Sequence, residues 1–170
     1  MKNRQNTPLP VRKTSCRLEE LMPLIQEQLA SGHTVRFAPR GSSMRPMLRQ
    51  GIDEVVLAAP PQRLKKYDLP LYQRENGQYV LHRVVRVEDG PSYTCVGDNQ
   101  FALEPGVGPE QVIAVVTEFY RAGRCVSMQS MGYRLYCRLW HGTRLPRRLV
   151  LGLARRIKRS LRHRGNQGEQ

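Results

Sequence analysis

The sequence predicts a mainly β protein: a partly open antiparallel β-barrel with an N-terminal helix and basic amphipathic helices at the C-terminus. Between residues 34 and 128, short apolar and β-branched runs alternate with turn residues. Within this region Asn76-Gly77 separates two such runs, which is a strong signal for a hairpin. On both sides of the region, apolar residues recur at intervals of three or four, as they do on one face of a helix.

The first helix is predicted over residues 17–31. Its apolar positions share one face: Leu18, Leu21, Met22, Ile25 and Leu29. Gly32 suits the end of a helix, and Pro23 should either kink the helix or mark a late start. We expect the apolar face to pack on the β region, because an amphipathic helix buries its apolar stripe.

Seven strands are predicted in the β region. They cover residues 34–38, 54–58, 69–73, 78–87, 92–96, 111–120 and 124–128. The fourth strand carries His82, and the fifth strand ends at Gly97 and Asp98. If these two strands are neighbours, Asp98 lies close to His82.

Two helical segments follow residue 130. One face of the first carries Tyr133, Tyr136, Cys137 and Trp140. The second repeats apolar residues at intervals of four, with arginines around them: Leu145, Leu149, Leu153, Ile157 and Leu161. Such a basic amphipathic helix lies on an anionic membrane surface, binds a groove of a partner, or covers the β region, and the sequence leaves these options open.

The net charge of +14 is concentrated at the two ends of the chain. The first seventeen residues have five basic and no acidic residues, residues 134–170 have eleven and one, and the part between has a net charge of −1. Basic ends suit an anionic partner. No zinc pattern and no interleaving of aromatic residues accompany them, so only non-specific, salt-dependent binding of nucleic acid is expected.

The chain shows no sign of a cofactor, a metal site or a membrane anchor. The four cysteines have no metal-like spacing, and we expect free thiols in a reducing cytosol. No apolar run approaches the ~18–20 residues that span a bilayer, and no signal peptide is evident. The expected location is the cytoplasm, with peripheral attachment to the cytoplasmic membrane through the C-terminal helix as an option.

The chemistry centres on the turn Gly41-Ser42-Ser43-Met44-Arg45-Pro46. Glycine permits a sharp bend, and proline restricts the backbone that follows the serine. A serine hydroxyl becomes a nucleophile only when a base takes its proton and a third group orients the base. His82 and Asp98 supply these residue types further along the chain.

The order Gly-Ser-Met-x-Pro, His-Arg-Val and Gly-Asp-Asn resembles the type I signal peptidase and LexA-like serine peptidase superfamily. The resemblance covers about residues 34–123. It implies that Ser43 is the nucleophile, that His82 replaces the lysine of most bacterial members, and that Asp98 orients His82. It also implies an oxyanion site at the turn Gly41, Ser42 and Ser43, and it offers Glu104 as a possible second acid.

The resemblance implies a serine endopeptidase that cleaves an extended peptide or preprotein after small side chains, within a LexA-like fold. Residues 17–129 would form the peptidase-like domain with its leading helix. Residues 1–16 would be a disordered basic N-terminus, residues 130–164 a basic helical extension, and residues 165–170 a disordered tail. Unlike the anchored signal peptidases, the chain has no predicted transmembrane helix.

Three alternatives come from other classes. A self-cleaving repressor is disfavoured, because the 42 residues before Ser43 hold a single helix. A peptide-binding module in a small-peptide maturation pathway would keep the cleft without the chemistry. A nucleic-acid binder would use the basic ends alone.

Overall fold

The computed structural model describes residues 18–149. The predictions of disorder at residues 1–16 and 165–170, and of helix around Leu153, Ile157 and Leu161, lie outside the described residues. Helix α1 (Leu18–Ala30) agrees with the predicted first helix. Its residues Met22, Ile25 and Leu29 are buried, and Pro23 lies inside the helix without ending it.

The described residues are mainly β, and their strands form two antiparallel sheets. The first sheet contains β1 (Val35–Phe37), β2 (Glu54–Ala58), β3 (Pro70–Gln73), β4 (Tyr79–Leu81), β8 (Val112–Arg121) and β9 (Arg124–Ser127). Its order is β1-β2-β8-β3-β4, and β9 also pairs with β8. The second sheet contains β5 (Arg83–Val87), β6 (Tyr93–Val96) and β7 (Glu104–Val107), in that order. Within residues 18–149 the strand pairings do not close a barrel.

The predicted strand over residues 78–87 is divided in two. Strand β4 pairs with β3 in the first sheet, whereas β5 pairs with β6 in the second, and His82 stands between them. His82 is therefore the point at which the chain passes from one sheet to the other. Such a change of partner is not encoded in hydrophobic periodicity, because both strands share the same alternation.

Strand β7 was not predicted, since Pro105 and Gly106 disfavour a strand. It forms at the edge of the second sheet, where Cys95 pairs with Glu104 and Tyr93 pairs with Val107. Proline is tolerated at an edge because an N–H that faces away from the ladder is not needed there. This strand positions the Glu104 carboxylate.

Two hydrophobic clusters support the site. The larger joins α1 to the first sheet and includes Met44, Met47 and Leu48 from the serine turn. The smaller lies around Tyr72 of β3, Val84 of β5 and residues of β6 and β8. The serine turn is thereby anchored by buried methionine and leucine side chains.

Helix α2 (Met131–Gly142) begins at Ser130, whose hydroxyl accepts a hydrogen bond from the Tyr133 N–H at 3.4 Å. Its residues Tyr133 and Cys137 are buried. By contrast, Leu145 and Leu149 are 73% and 74% exposed, so the apolar stripe predicted for the second helix does not cover the β region at these positions. No helix between residues 18 and 149 has the length and apolarity needed to cross a membrane.

Candidate active site

The serine turn and the Gly97-Asp98-Asn99 turn lie against each other. The carbonyl of Ser43 accepts a hydrogen bond from the Asn99 N–H at 2.7 Å, and the Asn99 side chain donates to the Ser42 carbonyl at 3.3 Å. Gly41 has a φ of 104°, in the left-handed region that favours glycine. The sharp entry to the turn thus requires the residue found there.

Gly97 packs closely against the serine turn. Strands β5 and β6 pair Arg83 with Val96, and His82 and Gly97 directly flank this pair along the chain. A Cβ atom at Gly97 would lie 2.8 Å from the Ser43 carbonyl oxygen and 3.0 Å from the Ser43 Cβ. Any larger residue would push Ser43 away from the strand that leads to His82.

His82 is buried and is held from one side. Its Nδ1 atom lies 3.0 Å from Oε1 of Glu104 and 3.5 Å from the Tyr72 hydroxyl. Its Nε2 atom makes no hydrogen bond within residues 18–149. The described part of the chain does not fully enclose this atom. The ring is therefore oriented through Nδ1, while Nε2 remains available to another group.

The Glu104 carboxylate is held by Tyr72, which lies in β3, and by Arg74, which lies in the loop after β3. Tyr72 donates to Oε2 at 2.7 Å, and Arg74 binds both oxygens, through Nε at 3.0 Å and through Nη2. A carboxylate bound by both arms of an arginine has one well-defined orientation. Tyr72 and Arg74 thus position Glu104, which in turn positions His82.

Burial lowers the pKa of His82, and the Arg74 charge lowers it further, while the Glu104 charge raises it in part. The net pKa lies below the ordinary value, so the imidazole is neutral near pH 7. Burial raises the pKa of Glu104, but hydrogen bonds from Arg74 and Tyr72 outweigh this effect and keep the pKa low. A neutral imidazole beside an ionised carboxylate is the arrangement that a general base requires.

Asp98 does not occupy the predicted position beside Nδ1 of His82. Its two oxygens bind Nε and Nη2 of Arg83, each at 2.8 Å, in a pair whose side chains are both 0% exposed. Successive side chains of an extended chain point to opposite sides, and Asp98 lies on the Arg83 side, whereas Glu104 lies on the His82 side. Glu104, which the resemblance offered as a possible second acid, is therefore the acid in contact with His82.

Asp98 instead attaches α2 to the site. Its carboxylate accepts a hydrogen bond from the Tyr136 hydroxyl at 3.1 Å and contacts Nε2 of His141 at 3.2 Å. Its backbone carbonyl accepts from the Trp140 indole at 2.8 Å. Burial raises the pKa of Asp98, but the Arg83 charge and the hydrogen bonds from His141 and Arg83 outweigh it and lower the pKa overall.

The Ser43 side chain is half-buried, and within residues 18–149 its hydroxyl makes no hydrogen bond. The Ser43 N–H likewise has no acceptor in that part of the chain, and Ser42 beside it is exposed. The turn therefore offers an open hydroxyl and an open N–H. These are the two groups that attack on a carbonyl and stabilisation of its oxyanion would need.

Several residues that build the site were not identified from the sequence. Arg83 stands next to His82 in the motif, and that adjacency was a usable signal. Tyr72 and Arg74 gave no signal in the sequence, because they lie 32 and 30 residues from Glu104 along the chain. Tyr136 and Trp140 were placed on one face of a predicted helix, and His141 was not singled out. The contacts of all three with Asp98 depend on how α2 docks.

Comparison of the chain with models of known protein families, and with curated proteins, gives no match. Within the described range, no group of three or more His, Cys, Asp or Glu side chains is arranged to hold a metal ion.

Proposed function

We propose that the chain is a serine endopeptidase in which Ser43 is the nucleophile, His82 the general base and Glu104 the acid that orients the base. One observation carries this proposal. The buried His82 is bound at Nδ1 by Glu104 and directly precedes Arg83, whose strand partner Val96 is followed by Gly97, and Gly97 lies against Ser43. This is the order of groups that activates a serine hydroxyl.

The chemistry follows the usual acyl transfer. The Ser43 hydroxyl oxygen attacks the scissile carbonyl, and its proton passes to Nε2 of His82. His82 then donates that proton to the leaving amine. In the second step His82 takes a proton from a water molecule whose oxygen attacks the acyl-enzyme carbonyl, and His82 returns the proton to the Ser43 oxygen as the acyl bond breaks. Glu104 stabilises the imidazolium that forms in both steps.

The Ser43 N–H is the first donor to the oxyanion, and the Ser42 hydroxyl is the second. Removing one such donor costs about 2.7–4 kcal/mol of transition-state stabilisation in characterised enzymes. Gly41 supplies the bend that presents both groups.

The proposed substrate is an extended peptide that pairs with β1. Within the described residues β1 pairs with β2 alone, so its other edge is open, and the chain runs from β1 directly to the serine turn. Strand addition of this kind gives main-chain hydrogen bonds and side-chain pockets at alternate positions. The partly open barrel predicted from the sequence belongs to this proposal, with the two sheets as its walls. The proposal also includes a preference for small side chains before the cut and a preprotein or small peptide as the substrate. It further includes attachment of the chain to an anionic membrane surface through the C-terminal helix.

A peptide-binding module without catalysis is the second candidate. It is favoured by one observation: the Ser43 hydroxyl makes no hydrogen bond to His82. In enzymes without bound substrate such bonds are often long and shorten in the reactive complex. For this reason the binding module ranks below the endopeptidase.

The test is cleavage of a mixed library of extended peptides, followed by mass spectrometry. The wild type is compared with Ser43→Ala, His82→Ala and the control His33→Ala, in which an exposed histidine is removed. Cuts made by the wild type and by His33→Ala, but absent from the other two variants, would support the endopeptidase. Peptide binding without cleavage, unchanged in Ser43→Ala, would instead establish the binding module.

A further inference from the structure

A cavity lies outside the proposed catalytic residues, between α2, β5 and the loop that precedes β3. Its volume is about 210 Å³. Three basic residues line it: Lys66 from the loop, Arg138 from α2 and Arg144 from the segment after α2. The basic side chains thus come from separate parts of the chain and converge on one space.

Among the residues between 18 and 149 that line the cavity, none is acidic. Burial lowers the pKa of Arg144, and the neighbouring charges of Arg148 and Arg147 lower it further. Such lowering marks a place where positive charges crowd together without a compensating carboxylate. Asp98 contacts the lining residue His141, but its charge is already matched by the buried Arg83.

Two of the lining side chains are held in place. Arg144 donates through Nη2 to the carbonyl of Phe101. The His141 side chain is 8% exposed, its ring stacks on Tyr67 with centroids 6.0 Å apart, and its Nε2 contacts Asp98. The Arg144 guanidinium and the His141 ring therefore have fixed positions at the cavity wall.

We propose that this cavity binds a phosphate group. Its volume of about 210 Å³ leaves room for a small anion. It is smaller than the ~300–1,000 Å³ of pockets that enclose drug-sized ligands. Guanidinium groups match the oxygens of phosphate in charge and geometry, and the ammonium group of Lys66 adds a third positive charge. The carrier is a soluble phosphomonoester or the headgroup of an anionic phospholipid.

The test is binding of inorganic phosphate and phenyl phosphate to the full-length chain, measured by calorimetry at low ionic strength. The double variant R138Q/R144Q is compared with the wild type and with R134Q, which removes an exposed arginine of the same helix that does not line the cavity. We expect the double variant to bind at least tenfold more weakly and R134Q to bind as the wild type does. If R144Q unfolds, because it also loses the contact with Phe101, R138Q/K66Q removes two charges from exposed positions instead.

Equal weakening in R134Q and the double variant would overturn the proposal, as would absence of phosphate binding in the wild type at millimolar concentration. A second arm identifies the carrier, with vesicles of phosphatidylcholine alone or with phosphatidic acid. Binding to phosphatidic acid that phosphate displaces, and that R138Q/R144Q loses, assigns the site to a lipid headgroup. Phosphate binding that depends on the arginines, together with vesicle binding that does not, assigns it to a soluble phosphomonoester.

Discussion

Replacement of Glu104 by glutamine removes the charge beside His82 while keeping the size of the side chain. The carboxylate lies 3.0 Å from Nδ1 of His82, so its charge acts on the imidazolium that forms during catalysis. Two unit charges ~4 Å apart attract by about 4 kcal/mol at an effective dielectric constant of ~20. Arg74 binds the same carboxylate, and its opposing charge reduces the net effect to roughly half, or about 2 kcal/mol.

A loss of about 2 kcal/mol corresponds to a fall in kcat/KM of roughly 30-fold. The pH profile should change as well. Glu104 raises the pKa of His82, so without it that pKa falls further, and the acid limb of kcat/KM should move to lower pH. The assay is kcat/KM between pH 5 and 8 on a peptide identified in the library experiment.

The control is Glu110→Gln, which removes an exposed carboxylate from the short helix η1 (Pro109–Gln111) after β7. It should leave both the rate and the pH limb unchanged. The Glu104 side chain is 22% exposed and also binds Arg74, so a urea titration of Glu104→Gln should accompany the assay to separate lost stability from lost activity. If Glu104→Gln keeps full activity while folded Asp98→Asn loses it and shifts the acid limb, the assignment of Glu104 is refuted.

Three further outcomes are expected. Gly97→Ala should displace Ser43, lower the free energy of unfolding by about 1–3 kcal/mol through overpacking and reduce kcat/KM at least tenfold. The control Gly132→Ala, at a helical position with open space, should leave activity intact and raise Tm. Equal activity in the two variants would contradict the close approach of Gly97 to Ser43. Asp98→Asn should leave the charge of Arg83 buried and unpaired and lower the free energy of unfolding by about 3–5 kcal/mol in urea titrations; a change below 1 kcal/mol would argue against the buried pair. The pKa of Asp98 is lower in the folded than in the unfolded state, so its stabilisation is present above the unfolded value of ~3.9 and is lost as the pH falls through the folded value; the urea midpoint should therefore drop less steeply in acid for Asp98→Asn than for the wild type.

The elements with strong local signals were predictable. The apolar face of α1, the strands around Asn76-Gly77 and the antiparallel, mainly β class follow from periodicity and turn chemistry, which depend on residues close in sequence. The basic ends of the chain were equally plain from composition.

Which acid meets His82 was decided only by tertiary structure. Asp98 and Glu104 both follow β6. The local sequence around each acid does not indicate which of them contacts His82 and which contacts Arg83. The choice arises because the chain changes sheets at His82 and because β7, with its weak strand signal, pairs with β6 and carries Glu104 toward Tyr72 and Arg74. Contacts across about thirty residues depend on how two sheets and a helix pack together, and no local pattern of side chains records that packing.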